Sequence, residues 1–367
     1  MDKNIYKLLT PGPLTTTETV KEAMQIDRCT WDEDYKNMTQ EIRTGLLKLA
    51  HADNGDYTTV LMQGSGTFGV ESVLSSVISS TDKVLVLQNG AYSKRMVEMC
   101  DYHGIKYVVY EEDYAHVPDP AIVEDVLRSD GNITHISMVH SETTSGLLND
   151  IAAIGELAKK YNKKFIVDAM SSFGGVDINV PELGITCLVS SANKCIQGVP
   201  GFSFIIAKVS DLKQTKGIAR SLSLDLYAQW ETMEKDGGKW RFTSPTHVVA
   251  AFSQALKELV AEGGITARNA RYTATNRALR KGMEELGFKA YIDEAHQGPI
   301  ITTFFYPENC KFTFAKMYAY LKDHGYVIYP GKLTDAETFR LGNIGEIYMD
   351  DVEKILGIFK DFVSTEN

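Results

Sequence analysis

Lys164-Phe165-Ile166-Val167-Asp168-Ala169-Met170-Ser171-Ser172 reads as a short, uninterrupted apolar strand that runs into a carboxylate and a string of small residues. Apolar residues at consecutive positions, rather than alternate ones, suit a strand covered on both faces of its sheet. Runs of the same kind recur at 58–62, 83–87, 106–110, 135–139, 187–190 and 202–207, with helical patterns between them. Such alternation is the signature of an α/β domain, here with a mostly parallel seven-stranded sheet under helices.

Past residue 248 the period changes. Val248, Phe252, Ala255 and Leu259, with Val249, Leu256 and Val260 beside them, repeat at helical spacing and stop at Gly263-Gly264. A second helical stretch runs to about Leu286. It is followed by a strand-like segment at 298–305, a helix ending at His324-Gly325, strand-like segments at 326–329 and 338–341, and a last helix with Val352, Ile355, Leu356, Phe359 and Val363. This tail reads as a smaller α+β C-terminal domain. The expected division is an N-terminal arm at 1–20, a large domain at 21–255 and a small domain at 256–367. At 367 residues the chain exceeds the roughly 250–300 at which single cores stop growing, so two bodies are expected.

With 44% hydrophobic and 23% charged residues, the composition excludes a disordered chain. The net charge of −10, from 38 Lys+Arg against 48 Asp+Glu, gives no basic footprint for nucleic acid. An anionic substrate would need a local trap of Arg, Lys and backbone N–H groups. Five scattered cysteines without a C-x-x-C pair suit a reducing compartment. Neither a leader-like N-terminus nor a run of about 20 apolar residues is present, so the expected location is cytoplasmic, without a membrane. No metal-ligand spacing appears, and no metal is expected.

Gly64-Ser65-Gly66-Thr67-Phe68-Gly69 follows the strand at 58–62 and opens a helix. Unpaired N–H groups and the helix dipole make such a turn an anion site. The dinucleotide reading of G-x-G-x-x-G also requires an acidic residue about 20 positions on. Gln88-Asn89 stand at the end of the next strand instead. Phosphate binding is therefore the favoured role, with a tight-packing glycine turn as the bland alternative.

Asp168 ends its strand where open α/β sheets bind ligands, although a turn or helix-capping Asp would look the same. Lys194, in Ser190-Ser191-Ala192-Asn193-Lys194-Cys195, lies between two strands among small residues, with glycines following at 198 and 201. Most lysines are solvated surface charges. One withdrawn from water loses basicity and can form a Schiff base. A phosphate cradle, an amine and a carboxylate are the three fixed points pyridoxal 5'-phosphate needs, the carboxylate keeping the ring nitrogen protonated so that the ring accepts electrons. Tyr92, in Asn89-Gly90-Ala91-Tyr92, is placed to stack on such a ring.

Further blocks carry a resemblance: Leu9-Thr10-Pro11-Gly12-Pro13-Leu14, His140-Ser141-Glu142-Thr143-Thr144-Ser145-Gly146, Val167-Asp168-Ala169-Met170-Ser171-Ser172-Phe173-Gly174-Gly175 and Ser191-Ala192-Asn193-Lys194-Cys195-Ile196-Gln197-Gly198-Val199-Pro200-Gly201. Ser221-Leu222-Ser223-Leu224-Asp225-Leu226-Tyr227, Lys239-Trp240-Arg241-Phe242-Thr243-Ser244-Pro245-Thr246-His247 and Phe339-Arg340-Leu341-Gly342-Asn343-Ile344-Gly345 extend it over nearly the whole chain. These blocks resemble the class V aminotransferases among fold-type I pyridoxal phosphate enzymes, and within them the family of 2-aminoethylphosphonate:pyruvate transaminases.

The resemblance implies a homodimer with active sites at the subunit interface and an N-terminal arm that contributes to them. It makes Lys194 the lysine that bonds the cofactor aldehyde and Asp168 the partner of its ring nitrogen, and gives the phosphate to Ser65, Gly66 and Thr67. Tyr92 would cover the ring, where the wider class often has Trp. Thr143 would bond the ring hydroxyl, Thr243 would reach the phosphate from the partner subunit, and Arg340 and Gly12 would meet the substrate. The implied reaction turns 2-aminoethylphosphonate and pyruvate into phosphonoacetaldehyde and L-alanine. A class V enzyme acting on alanine or serine with glyoxylate or pyruvate is the alternative, because residue spacing does not separate a phosphonate from a carboxylate. A nucleotide-dependent oxidoreductase using the turn at 64–69 is a further one.

Overall fold

The computed structural model describes residues 6–308, 310–333 and 336–366, so the first five residues of the expected arm lie outside it. In chain order the strands are β1 (Lys7–Leu9), β2 (Tyr57–Gln63), β3 (Lys83–Gln88), β4 (Lys106–Glu111), β5 (His135–Val139), β6 (Ser141–Glu142), β7 (Leu147–Leu148), β8 (Lys164–Asp168), β9 (Ile185–Ser191), β10 (Phe202–Lys208), β11 (Ile301–Phe305), β12 (Tyr326–Pro330) and β13 (Thr338–Gly342).

Seven strands make the large sheet, in the order β2-β10-β9-β8-β5-β3-β4. All seven expected strands are present, each end within two residues of the sequence reading. β5 is buried at every position and β10 at all but its last, as a sheet covered on both faces requires, while the edge strand β4 is half-buried.

One reversal places the site. β10 runs antiparallel to both β2 and β9, which makes β2 parallel to the remaining strands. The carboxyl ends of β2, β3, β5, β8 and β9 therefore lie along one edge. The segments after them carry Ser65, Tyr92, Thr143, Asp168 and Lys194. The helix Thr246–Glu262 covers one face, setting Phe252 edge-on to Phe202 with centroids 5.0 Å apart. Truncating one such buried phenylalanine costs about 3–5 kcal/mol.

That helix runs unbroken across residue 255 and packs Val249, Phe252, Ala255 and Leu259 into the first core. The chain turns at Gly263, φ +110°, into the helix Gly264–Glu285. A second core gathers Leu279, Phe288, Phe304, Phe339, Ile355 and Phe359 around a sheet in the order β1-β12-β13-β11. β1 was not among the expected strands. It pairs parallel to β12, Lys7 opposite Tyr326 and Leu9 opposite Ile328, and Lys7 Nζ holds Asp351 at 2.8 Å.

From β1 the arm crosses toward the large sheet, passing so close to Gly342 that a Cβ there would lie 2.3 Å from the Thr10 carbonyl oxygen. No helix among the described residues is long and apolar enough to cross a membrane. Gly342→Ala is expected to push the arm off β13 and lower stability by about 1–3 kcal/mol. Thermal unfolding checks this, and an unchanged Tm would show that the arm adjusts without cost.

Candidate active site

Ser65, Gly66, Thr67, Tyr92, Thr143, Asp168 and Lys194 line one cavity at the carboxyl edge of the large sheet. They come from five separate segments of the chain, Thr143 being the one that the resemblance alone had pointed to. Each is held there for a local reason.

Ser65 stands at the N-cap of the helix Gly66–Val77 in extended geometry, yet its hydroxyl caps nothing. The hydroxyl and the first-turn N–H groups are thus available to an outside anion. The three glycines of the turn have three different causes. Gly64 holds φ +117°; a Cβ at Gly66 would collide with the Met170 thioether at 2.2 Å; one at Gly69 would meet Ser203 Oγ at 2.6 Å, where the helix presses on β10.

Asp168 ends β8 almost wholly covered, 6% exposed. Its Oδ1 accepts the Met170 N–H at 2.9 Å. Burial, helped by the Glu142 carboxylate, pushes its pKa up to about 7 against the opposing pull of that N–H, Lys194 and Arg95. Lys194 follows β9, and its Nζ donates to the Pro11 carbonyl at 2.8 Å. Withdrawal from water pushes its amine below the ordinary lysine value, a fall that Tyr92 and Asp168 moderate. Gly12 makes this approach possible: with φ +121°, a Cβ there would stand 2.6 Å from Lys194 Cδ and 2.9 Å from Nζ.

Tyr92 lies in the first turn of the helix Ala91–His103. Burial raises its phenol, but Lys194 and Lys332, the latter through a hydrogen bond, outweigh burial and bring it down to about 8. Arg340 comes from the small sheet, 2% exposed. Its Nε donates to Pro330 O at 3.0 Å and its Nη1 to Thr143 O at 2.9 Å, tying the small sheet to the segment after β6 beside the cavity. Thr243, by contrast, is exposed and lies outside this cavity, next to Phe242.

Three further residues were missed as members of the site. Arg95 lines the cavity, donating to Thr67 Oγ1 at 3.4 Å with its guanidinium carbon 5.2 Å from the Tyr92 ring centre. Its place three residues after Tyr92 on one helix was the available signal. Glu142, fully buried, accepts from Ser93 N at 3.3 Å and Thr144 Oγ1 at 2.7 Å, so it holds the N-terminus of the helix that bears Tyr92. Burial pushes its carboxyl pKa up. The third is Lys332, which donates to Tyr92 Oη at 3.0 Å.

An uncapped helix start for an anion, a less basic amine and a carboxyl group beside one cavity form a donor set that fits pyridoxal phosphate. No group of three or more His, Cys, Asp or Glu arranged for a metal occurs among the described residues.

Comparison with known proteins adds an independent finding. The family described as Aminotransferase class-V matches residues 28–333. The chain is 56% identical, over 99% of its length and 98% of the relative's, to the 2-aminoethylphosphonate--pyruvate transaminase of Lysinibacillus sphaericus (strain C3-41). It is 55% identical to the protein of that name from Bacillus cytotoxicus, over 99% of each chain. It is also 54% identical to the bifunctional phosphonoacetaldehyde hydrolase/aminoethylphosphonate transaminase of Clostridioides difficile (strain 630), covering 99% of this chain and 57% of that one. Among solved structures, a ureidoglycine-glyoxylate aminotransferase from Bacillus subtilis superposes with a TM-score of 0.90 at 22% identity, over 100% of this chain and 95% of that one. An aspartate aminotransferase from Thermus thermophilus does so with 0.88 at 22% identity, over 98% and 100%. The fold is that of the fold-type I aminotransferases.

The raised pKa of Asp168 makes stability depend on pH. Between its ordinary 3.8 and about 7 the folded chain keeps a proton that the unfolded chain releases, so stability falls as pH rises through that window. Above it the buried carboxylate is a standing cost. Asp168→Asn should therefore make the cofactor-free protein more stable at pH 8, by about 2–4 kcal/mol. The gain should shrink toward pH 4, as unfolding curves across that range would show; a gap independent of pH would contradict the assignment.

Proposed function

The chain belongs to the class V aminotransferase family, and from that premise we propose that it moves the amino group of 2-aminoethylphosphonate to pyruvate, with pyridoxal 5'-phosphate as cofactor, giving phosphonoacetaldehyde and L-alanine. The observation that carries the reading is Lys194 and Asp168 lining one cavity in a chain 56% identical, end to end, to a relative bearing that activity in its name.

When bound, the cofactor supplies an aldehyde carbon for amines and a ring that draws electron density from the neighbouring carbon. The chain does the rest. Ser65, Gly66 and Thr67 hold the phosphate at the helix start, and Thr243 of the partner subunit adds a hydroxyl. Asp168 keeps a proton on the ring nitrogen, whose positive charge draws the carboxyl pKa back down and leaves Asp168 ionised. Thr143 bonds the ring hydroxyl and Tyr92 covers the ring face.

Lys194 would hold the cofactor, and its Nζ as a free amine would take up the proton that leaves the substrate's amine-bearing carbon and give it back as general acid. Its lowered basicity raises the fraction of neutral amine available for that task. Arg340, fixed by Pro330 and Thr143, binds the acidic end of each substrate in turn, since a planar fork suits carboxylate and phosphonate alike. Gly12 lets the arm close over Lys194.

The working unit is proposed to be a homodimer in the cytoplasm. Phe68, Leu222 and Phe242 are each at least 50% exposed, a display of large apolar groups that calls for a covering surface. Phe68 and Phe242 line a groove that begins at Gly64, next to the phosphate cup. The five cysteines, all unpaired, suit a reducing compartment. Within each copy the change of body is proposed at the Gly263-Gly264 turn.

Purified holoenzyme should release aldehyde from 2-aminoethylphosphonate beyond one equivalent per site only with pyruvate present, and that further aldehyde should be matched by alanine in equal amount. Equal or faster turnover of serine or other amino acids would reject the donor. Lys194→Ala should lose the yellow colour of the bound cofactor and at least about 10³-fold in turnover; an active, coloured variant would end the assignment. Phe242→Asp should sediment as a single chain and retain cofactor poorly, whereas an unchanged mass would exclude that face from the interface.

A further inference from the structure

We infer that Lys332 is a second cation of the donor site, which together with Arg340 makes the protein prefer a phosphonate to a carboxylate of the same length; the inference rests on the transaminase reading above. Two hydrogen bonds place the cations on one cavity: Lys332 on Tyr92 and Arg340 on Thr143, both of which line it. Arg340 on β13 stands directly across from Tyr329 on β12, and β12 ends at Pro330, whose carbonyl holds Arg340 Nε. The pairing continues one step further, the Gly331 N–H donating to Thr338 O at 2.9 Å, and Lys332 follows directly. Lys332 Nζ donates to Tyr92 Oη at 3.0 Å and lies 4.5 Å from the centre of that ring. Lys194, which lines that cavity too, draws the same phenol down. Lys332 thus joins Arg340 and Lys194 as a third cation around one cavity.

One of them is more than a carboxylate needs. Pyruvate presents a planar group with one charge and two oxygens, which a guanidinium fork satisfies. A phosphonate presents a tetrahedral group with three oxygens and, like phosphate monoesters with a second pKa of about 6, approaches two charges at neutral pH. The fork of Arg340 reaches two oxygens in its plane; the third lies out of that plane and requires a donor from a second direction. Lysine supplies a point charge with three donors on a flexible stem. The Tyr92 hydroxyl marks the position of an acceptor oxygen within reach of Lys332 Nζ, and a phosphonate oxygen is a stronger acceptor than a phenol. Because Lys332 is exposed, its pull is screened, and its contribution is that of one charge-assisted hydrogen bond.

The test compares holoenzyme of the wild type, Lys332→Ala and Lys332→Arg with 2-aminoethylphosphonate and its carboxylate counterpart, 3-aminopropanoate. Lys332→Ala should raise KM for 2-aminoethylphosphonate about tenfold, move KM for pyruvate less than about twofold, and narrow the preference over 3-aminopropanoate by about the same tenfold. Lys332→Arg should restore most of it. Calorimetry with unreactive ethylphosphonate and propanoate provides a readout without turnover, in which Lys332→Ala weakens only the former, again about tenfold. A variant that discriminates as well as the wild type, or that loses both ligands equally, overturns the inference and leaves the transaminase reading intact. Wild-type protein that transaminates other amines but ignores 2-aminoethylphosphonate overturns the substrate reading and this inference with it.

Discussion

Keeping Lys194 and Asp168 out of water is the constraint on which the remainder of the molecule depends. A buried amine loses basicity and a buried carboxyl gains it, so the two drift toward neutral forms, the cheaper ones to enclose. Each has only slender support from the protein, a Pro11 carbonyl for the amine and a Met170 N–H for the carboxyl. Such sparse satisfaction is a stability cost, and it leaves both groups able to take partners that the chain does not itself supply.

Two separate bodies are needed to enclose them. The large sheet supplies the pair, but its carboxyl edge is open. The arm closes it, and the arm is anchored in the other body, as β1 on β12, with Leu9 in the second core. Arg340 makes the complementary link, its guanidinium reaching from β13 to the Thr143 carbonyl. Glycines mark both crossings: Gly342 where the arm lies on β13 and Gly12 where it lies on Lys194, since a Cβ at either would meet an atom within 2.6 Å. A displacement of the small body would therefore move the carbonyl on the reactive amine and the cation beside it together.

What was legible in the sequence follows from how far each signal extends. The seven large-sheet strands show themselves because burial on two faces writes an apolar residue at nearly every position. β1 does not, being three residues long and defined by a partner more than three hundred positions away. Lys194 and Asp168 stand out because small residues and strand ends frame them. Lys332 looks like an ordinary surface charge in one dimension, and only tertiary packing brings it to Tyr92, whereas Arg95 reaches that ring by helical spacing alone. Glu142 was legible as part of a block, but its work of holding a helix start is a three-dimensional fact.

The turn at 64–69 shows why a literal motif match misleads. In a dinucleotide site the three glycines of G-x-G-x-x-G have roles fixed by the pyrophosphate and ribose. Here the same spacing arises from a left-handed turn at Gly64, the Met170 side chain against Gly66 and β10 against Gly69. Two of these causes are side chains of the protein, and one of them, Met170, is the residue whose N–H binds Asp168. The glycine that lets the helix start come close to Met170 thereby sets the spacing between the anion cup and the carboxyl group. The acidic residue that a dinucleotide's ribose would require is absent from the end of β3, where Gln88 and Asn89 stand instead.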